Sequence, residues 1–137
     1  MRIGCVMWNS RVPTFARAAA AVPEVSLRLV SLNAVEDDAK RDEFLAWADQ
    51  EADLLLVYHT QSAVWADLED SVRRFAESRP VVSIGRGPDD WALSNQPMAL
   101  VAKAQEYLTL DGEANAANLL RLLARNIGKL PVDPADP

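Results

Sequence analysis

Few side chains in this chain could do chemistry. There is one histidine, His59, and one cysteine, Cys5. A metal site needs three or four converging His, Cys, Asp or Glu ligands, and neither residue has them nearby in sequence. Cys5 falls inside an apolar run and reads as a small buried hydrophobe. His59 follows the run Asp53 to Tyr58 (DLLLVY), at the carboxyl end of an expected strand. There a neutral imidazole can bond a ligand carboxylate or ligate a metal axially, or it can sit as a partly exposed loop histidine. Arg86 offers a planar fork that matches carboxylates; its other reading is a surface pair with Asp89 or Asp90. Gly85-Arg86-Gly87 begins like a dinucleotide loop. It fails as one, because Pro88, Asp89 and Asp90 stand where a third glycine and a helix should follow. No Gly-x-x-x-x-Gly-Lys-Ser/Thr occurs, so no loop for ATP phosphates is expected. Trp8, Trp47, Trp65 and Trp91 have flat faces for stacking. Trp47 and Trp65 fall in helical stretches and read as core. Trp91, in an irregular stretch, is the candidate for an exposed contact. The candidate substrate-binding set is Asn9, Ser10, His59, Arg86 and Trp91; no catalytic residue and no metal ligand is assigned.

The elements that must position these residues follow from periodicity. Arg2 to Trp8 (RIGCVMW) is a near-continuous apolar run, the pattern of a strand buried on both faces. Asn9-Ser10 bounds it. Pro13 suits the first turn of a helix, with Ser10 as a possible cap, and that helix runs through the alanines to about Ala21. Val25 to Leu32 predicts a second strand and Asn33 to Asp38 a polar turn. Lys40 to Glu51 predicts a helix with Phe44, Leu45, Trp47 and Ala48 inward. Its entrance, Glu36-Asp37-Asp38, places negative charge where the helix dipole favours it. Asp53 to Tyr58 predicts the third strand. Ser62 would cap a helix to about Glu77 that buries Val64, Leu68, Val72 and Phe75. Pro80 to Ile84 predicts a fourth strand opening on a proline, which a first strand position tolerates. An irregular stretch (GRGPDDWALSNQPMAL) leads to two C-terminal helices. Strands alternating with helices mean right-handed βαβ units and a parallel sheet. The expected fold is α/β, three-layer and flavodoxin-like, with a four-stranded parallel sheet in the order 2-1-3-4 and extra C-terminal helices. That order puts His59 beside Asn9 and Ser10, at the switch point where open α/β sheets bind ligands.

The chain has 137 residues, enough for one buried core, and a net charge of −6. There is no basic patch to neutralise phosphates, so no nucleic-acid partner is expected. The acidic balance also argues against anionic membranes, and no apolar run approaches the roughly 20 residues of a membrane span. A single cysteine cannot form an internal disulfide, and the N-terminus lacks a signal-peptide pattern; the expected home is the cytoplasm. Residues 1–129 read as one α/β domain. Residues 130–137 (LPVDPADP) have no core pattern and read as a Pro-rich linker.

The most informative stretch is Ala104 to Gly128 (AQEYLTLDGEANAANLLRLLARNIG). Leu119, Leu120, Leu122, Leu123 and Ile127 form a helical stripe, with Asp111-Gly112 as the break before it. Asn115 and Asn118 share one helix face and read on their own as solvated amides or bonds to a neighbouring loop. Glu106-Tyr107-Leu108, then Gly112-Glu113, Asn115, Asn118 and Leu119-Leu120 resembles the "EYL…GG-x-EN-x-x-NLL" signature of the large subunit of metal chelatases. That family comprises the cobaltochelatase N subunit and the magnesium-chelatase H subunit. Leu110-Asp111-Gly112 stands where the family has a double glycine. "WNSRVPTFARAAAAV", "DLLLVYH" and "RPVVSIGRGPDD…LSNQP" are also similar in kind to family segments.

The resemblance implies an N-terminal fragment of a much larger subunit that binds a corrinoid or porphyrin and carries metal into the ring. In cobaltochelatase the ring is hydrogenobyrinic acid a,c-diamide and the metal is Co(II). The implied partners are the remaining domains of the parent subunit and ATPase motor subunits, which bind ATP and Mg. The fragment itself would hold no cofactor, and the family's metal-handling residues lie in later regions. A magnesium-chelatase H-type subunit acting on protoporphyrin IX is an alternative. So is a stand-alone flavodoxin-like ligand-binding module, though several signatures of such modules are missing. A receiver needs acidic residues after the first strand, where Asn9-Ser10-Arg11 stands. A flavodoxin needs a Ser/Thr-rich phosphate loop there, and a cobalamin-binding module needs Asp-x-His-x-x-Gly.

Overall fold

The computed structural model describes residues 1–137. Its four strands are β1 (Arg2–Met7), β2 (Ser26–Ser31), β3 (Leu54–Tyr58) and β4 (Val81–Ile84). They form one parallel sheet in the order β2-β1-β3-β4, as expected from the alternation of strand and helix signals. The helices are α1 (Val12–Ala20), α2 (Leu32–Val35), α3 (Asp38–Glu51), α4 (Val64–Ala76), α5 (Met98–Leu110) and α6 (Glu113–Asn126).

The apolar runs of β1 and β3 are explained by helices on both sides of the sheet. Ile3, Cys5, Met7, Leu54, Leu56, Val82 and Ile84 face α1, α5 and α6. Val6, Leu55, Val57 and Val81 face α2, α3 and α4. Gly4 lies between two residues of that second face. A Cβ there would meet Leu55 Cδ2 at 2.8 Å and Phe44 Cζ at 3.2 Å, so α3 packs where only a glycine leaves room.

The local differences have local causes. The segment expected as a polar turn contains α2, because Leu32 and Val35 are three apart and both bury. Ser31 caps it, its Oγ accepting from the Ala34 amide at 3.0 Å. Asp37 caps α3 by accepting from the Lys40 amide at 2.9 Å. Ser10 and Ser62 are not caps. A 3-10 turn over Asn9–Arg11 leads straight into α1, whose start has no side-chain cap. Ser62 Oγ is paired instead with Thr60 Oγ1 at 2.7 Å. Leu45 and Trp47 are only partly buried; Trp47 lies beside Phe44 and under the Arg28 guanidinium.

The edge of β4 is covered. The Val81 amide donates to Asn95 Oδ1 at 2.7 Å and the Ser83 amide to Ser94 Oγ at 2.7 Å. Asn95 also donates to the carbonyls of Ala76 and Arg79 at the end of α4. Two side chains thus satisfy strand groups that would otherwise be a template for pairing.

Between α5 and α6 the chain turns at Asp111 (φ 62°, ψ −178°) and Gly112 (φ 91°, ψ 157°). The Asp111 conformation belongs to a region that is almost exclusively glycine's, and holding another residue there costs about 1–3 kcal/mol. The carboxylate is compensated by an exposed ion pair with Arg11 at 3.1 Å, a pairing of about 0–1 kcal/mol. Asp111→Gly is therefore expected to stabilise the chain by about 1 kcal/mol, raising Tm by about 3–5 °C. Asp111→Ala, which loses the pair without relieving the backbone, is expected to lower it. Thermal unfolding of both variants checks this, and a lower Tm for the glycine variant would show the turn is unstrained.

Candidate functional site

β1, β3 and β4 all end at the same edge of the sheet, and a crevice of about 660 Å³ opens there. Its walls come from Trp8 after β1, from Tyr58 and the segment His59–Ser62 after β3, and from Arg86–Asp90 after β4. β1 and β3 are neighbours whose connections leave to opposite sides, so this is the switch point of the sheet.

The loop after β4 is fixed by two buried polar side chains. Gln105 on α5, 7% exposed, brackets Gly85. Its Oε1 accepts from the Gly85 amide at 2.9 Å, and its Nε2 donates to the Gly85 carbonyl at 2.7 Å. The same Oε1 accepts from Trp91 Nε1 at 3.0 Å, and Nε2 also donates to Thr109 Oγ1 at 3.0 Å. Asp90, 8% exposed, is the second. Its Oδ2 accepts from the Arg86 amide at 2.8 Å, and its Oδ1 lies 2.9 Å from His59 Nδ1. Ser83 Oγ donates to the Asp90 carbonyl at 2.6 Å. Gly85 is required for this closeness, because a Cβ would stand 2.5 Å from Asp90 Oδ2 and 2.7 Å from the His59 carbonyl oxygen.

An ionised Asp90 can only accept, so the proton on His59 sits on Nδ1. Nε2 is left without a hydrogen-bond partner at the crevice wall. A carboxylate that fixes one ring nitrogen and frees the other is the arrangement by which proteins orient an imidazole toward a ligand. The Arg86 guanidinium is exposed and makes no ion pair. The expected pairing with Asp90 fails because that carboxylate is already held by His59 and by the Arg86 backbone. Trp8 is 42% exposed and lies 6.1 Å from Tyr58, ring centroid to centroid. Beneath His59, Trp65 packs at 5.0 Å, and its Nε1 is the one buried side-chain nitrogen or oxygen without a partner.

Of the sequence-derived set, His59 and Arg86 meet in this crevice. Asn9 and Ser10 do not line it: Asn9 Oδ1 accepts from the Asn33 amide at 2.9 Å and ties the end of β1 to α2. Trp91 is not an exposed contact, because its indole is half-buried against the core and bonded to Gln105. The exposed tryptophan is Trp8, read from sequence as the last residue of a buried strand. Gln105 carried no local signal, since it acts on residues 20 and 14 positions away; Asp90 was read only as a surface partner of the Arg86 side chain, whereas it is buried and also holds His59, 31 residues away.

The motif residues lie outside the crevice and do structural work. Glu106 pairs with Lys103 at 3.4 Å. Tyr107 is buried, donates from its hydroxyl to the Ala135 carbonyl, and has its phenol pushed up by burial. Glu113 pairs with Arg17 of α1 at 3.0 Å. Asn115 Nδ2 donates to the Asp111 carbonyl at 2.7 Å, across the turn that Gly112 completes. Asn118 Oδ1 accepts from Arg121 at 2.9 Å and from the Ala135 amide at 3.1 Å. The tail is thereby laid against α5 and α6, with Leu130 and Val132 packed on the core. No three His, Cys, Asp or Glu side chains cluster as metal ligands. Cys5 is fully buried, and burial pushes its thiol far up.

No family model matches this chain, and no curated protein matches it in sequence. Among solved structures, the catalytic subunit of cobaltochelatase from Mycobacterium tuberculosis superposes over 99% of this chain, with a TM-score of 0.71 and 13% identity. This chain spans 11% of that protein's length. The fructose-binding periplasmic domain of a hybrid two-component system covers 99% of this chain and 54% of its own, at a TM-score of 0.47 and 19% identity. The first likeness is one of fold; the second is too loose to weigh. No helix is long and apolar enough to cross a membrane.

Gln105→Leu would orphan the Gly85 amide and carbonyl and the Trp91 indole. The expected cost is about 2–4 kcal/mol in denaturant unfolding, and a loss under about 1 kcal/mol would mean that the loop does not depend on the bracket. The native chain is also expected to leave Cys5 unmodified by a thiol reagent until it is unfolded; modification of folded protein would contradict its burial.

Proposed function

We propose that this chain is the N-terminal domain of the large, tetrapyrrole-binding subunit of an ATP-dependent metal chelatase. The preferred member is cobaltochelatase, which inserts Co(II) into hydrogenobyrinic acid a,c-diamide in cobalamin biosynthesis, in the cytoplasm. The observation that carries the reading is the superposition over 99% of the chain on a cobaltochelatase catalytic subunit. It takes in α5 and α6, the two helices beyond the minimal sheet, and these bear the Glu-Tyr-Leu and Asn-x-x-Asn-Leu-Leu residues.

In this reading the domain is a scaffold beside the tetrapyrrole, not the catalyst. Residues 130–137 lead to the remaining domains. Motor subunits supply ATP hydrolysis, with Mg held on their side. Magnesium insertion into protoporphyrin IX is the sister reaction. A stand-alone binding module is the second reading, favoured by the crevice at the switch point.

Two measurements separate these readings. Immunoblotting of source cells is expected to show a polypeptide far larger than the 15.1 kDa of this chain; a band at that size would support the stand-alone module. The full-length subunit with its motors, ATP, Co(II) and the corrinoid is expected to insert cobalt. Removing residues 1–129 should cut the rate at least about ten-fold while motor ATPase persists, the outcome of losing interactions worth about 1.4 kcal/mol in the barrier. Absence of insertion by the intact assembly would defeat the enzymatic part, and insertion of magnesium into protoporphyrin IX instead would transfer it to the sister reaction.

A further inference from the structure

We propose that the crevice at the carboxyl edge is a ligand site in its own right, built for an organic carboxylate on a flat apolar body. Three observations converge on that chemistry. The Arg86 guanidinium stands in the wall without an ion-pair partner, although Asp89 and the buried Asp90 line the same crevice. The Asp90 carboxylate is spent on His59 Nδ1 and on the Arg86 amide, so it positions the cation's backbone without neutralising the side chain. The guanidinium offers the donors, and its planar fork matches the two oxygens of a carboxylate; the free Nε2 of His59 is an acceptor at the same wall.

The opposite wall is aromatic. Trp8 is 42% exposed beside Tyr58, with the rings 6.1 Å apart and tilted by 34°. An exposed tryptophan over a concave space is a surface for a flat apolar partner, and it also attracts the edge of a delocalised ring. A volume of about 660 Å³ lies within the range of small-molecule sites. The loop is also pre-organised. Gln105 and Asp90 are both more than nine-tenths buried, and their hydrogen bonds fix Gly85 and Arg86 before any ligand arrives. Such supporting polar groups are what a binding site needs and a random surface loop lacks.

The site does not depend on the chelatase reading, because it is tested by direct binding to this chain and not by metal insertion. The probes are pyrene-1-carboxylate and pyrene-1-carboxamide, one flat ring system with and without the charge. Both are titrated into 15N-labelled chain and followed by amide and indole NMR shifts. The carboxylate is expected to bind about ten-fold more tightly than the amide, the size of one charge-assisted contact, with shifts at Trp8, His59 and Arg86. Arg86→Gln is expected to abolish that preference while leaving amide binding unchanged. Trp8→Ala is expected to weaken both probes together, in a chain whose other resonances stay in place. Equal affinity for the two probes, an undiminished preference in Arg86→Gln, or shifts confined to other surfaces would overturn the proposal. Absence of binding at millimolar probe would overturn it too, and would leave the chelatase reading where it stands.

Discussion

The pair of hydrogen bonds between Gln105 and the backbone of Gly85 holds the carboxyl edge of the sheet together. β4 ends at Ile84, and the chain must leave a buried edge at once. Gly85 therefore has an amide and a carbonyl with no strand to pair them. Leaving such groups unpaired in the interior costs about 1–3 kcal/mol each. A primary amide answers both needs, because it accepts and donates from adjacent atoms. Glutamate or leucine in its place could satisfy at most one. The position of Arg86, one residue on, is a consequence of this bracket and of Asp90, and the width of the crevice follows from it.

The same helix carries the neighbouring constraint. Glu106 and Tyr107 follow Gln105 directly on α5, and Tyr107 reaches the tail at Ala135 while Gln105 reaches the loop after β4. α5 is in turn held by α6 and by the 3-10 turn Asn9–Arg11 that precedes α1, while α1 itself holds α6. The Arg11 side chain bonds the Leu108 carbonyl and the Asp111 carboxylate, and Arg17 bonds Glu113. The chelatase-like motif is thus a means of fixing α5 and its turn. Its asparagines are helix and tail clips, not a reactive pair.

The fold was readable because its signals are local and strong. β1 and β3 are apolar without alternation, which only two-sided burial explains. The helices that alternate with the strands bury spaced residues, such as Val64, Leu68, Val72 and Phe75 of α4. The strand order was also recovered, since few small doubly wound arrangements exist. What failed was read from single residues. Ser10 and Ser62 had the right chemistry for caps, but a 3-10 turn and a Thr60 hydroxyl claimed them first. Trp91 lay in an irregular stretch and looked exposed; Gln105, 14 residues later, draws its indole inward. Trp8 looked buried because it extends an apolar run, yet it falls one residue past the strand, where the sheet no longer covers it. Half of the candidate site was legible for a related reason. His59 and Arg86 follow strand ends, and strand ends converge in a parallel sheet. Gln105 and the Asp90–His59 contact depend on tertiary hydrogen bonds, which no spacing announces.

The division of labour follows from where polar groups can be satisfied. On the α1, α5 and α6 side, Glu106, Tyr107, Glu113, Asn115 and Asn118 each have a structural partner within the chain. At the carboxyl edge the supporting residues are saturated, while Arg86, the Nε2 edge of His59 and the face of Trp8 are not. Binding requires unsatisfied groups held in fixed positions, because groups that must first be ordered lose affinity to entropy. The carboxyl edge combines the two. A sequence motif that is mostly architecture and a ligand-competent edge that has no motif are therefore two results of one requirement: α5 must be immobile for the loop after β4 to present its cation.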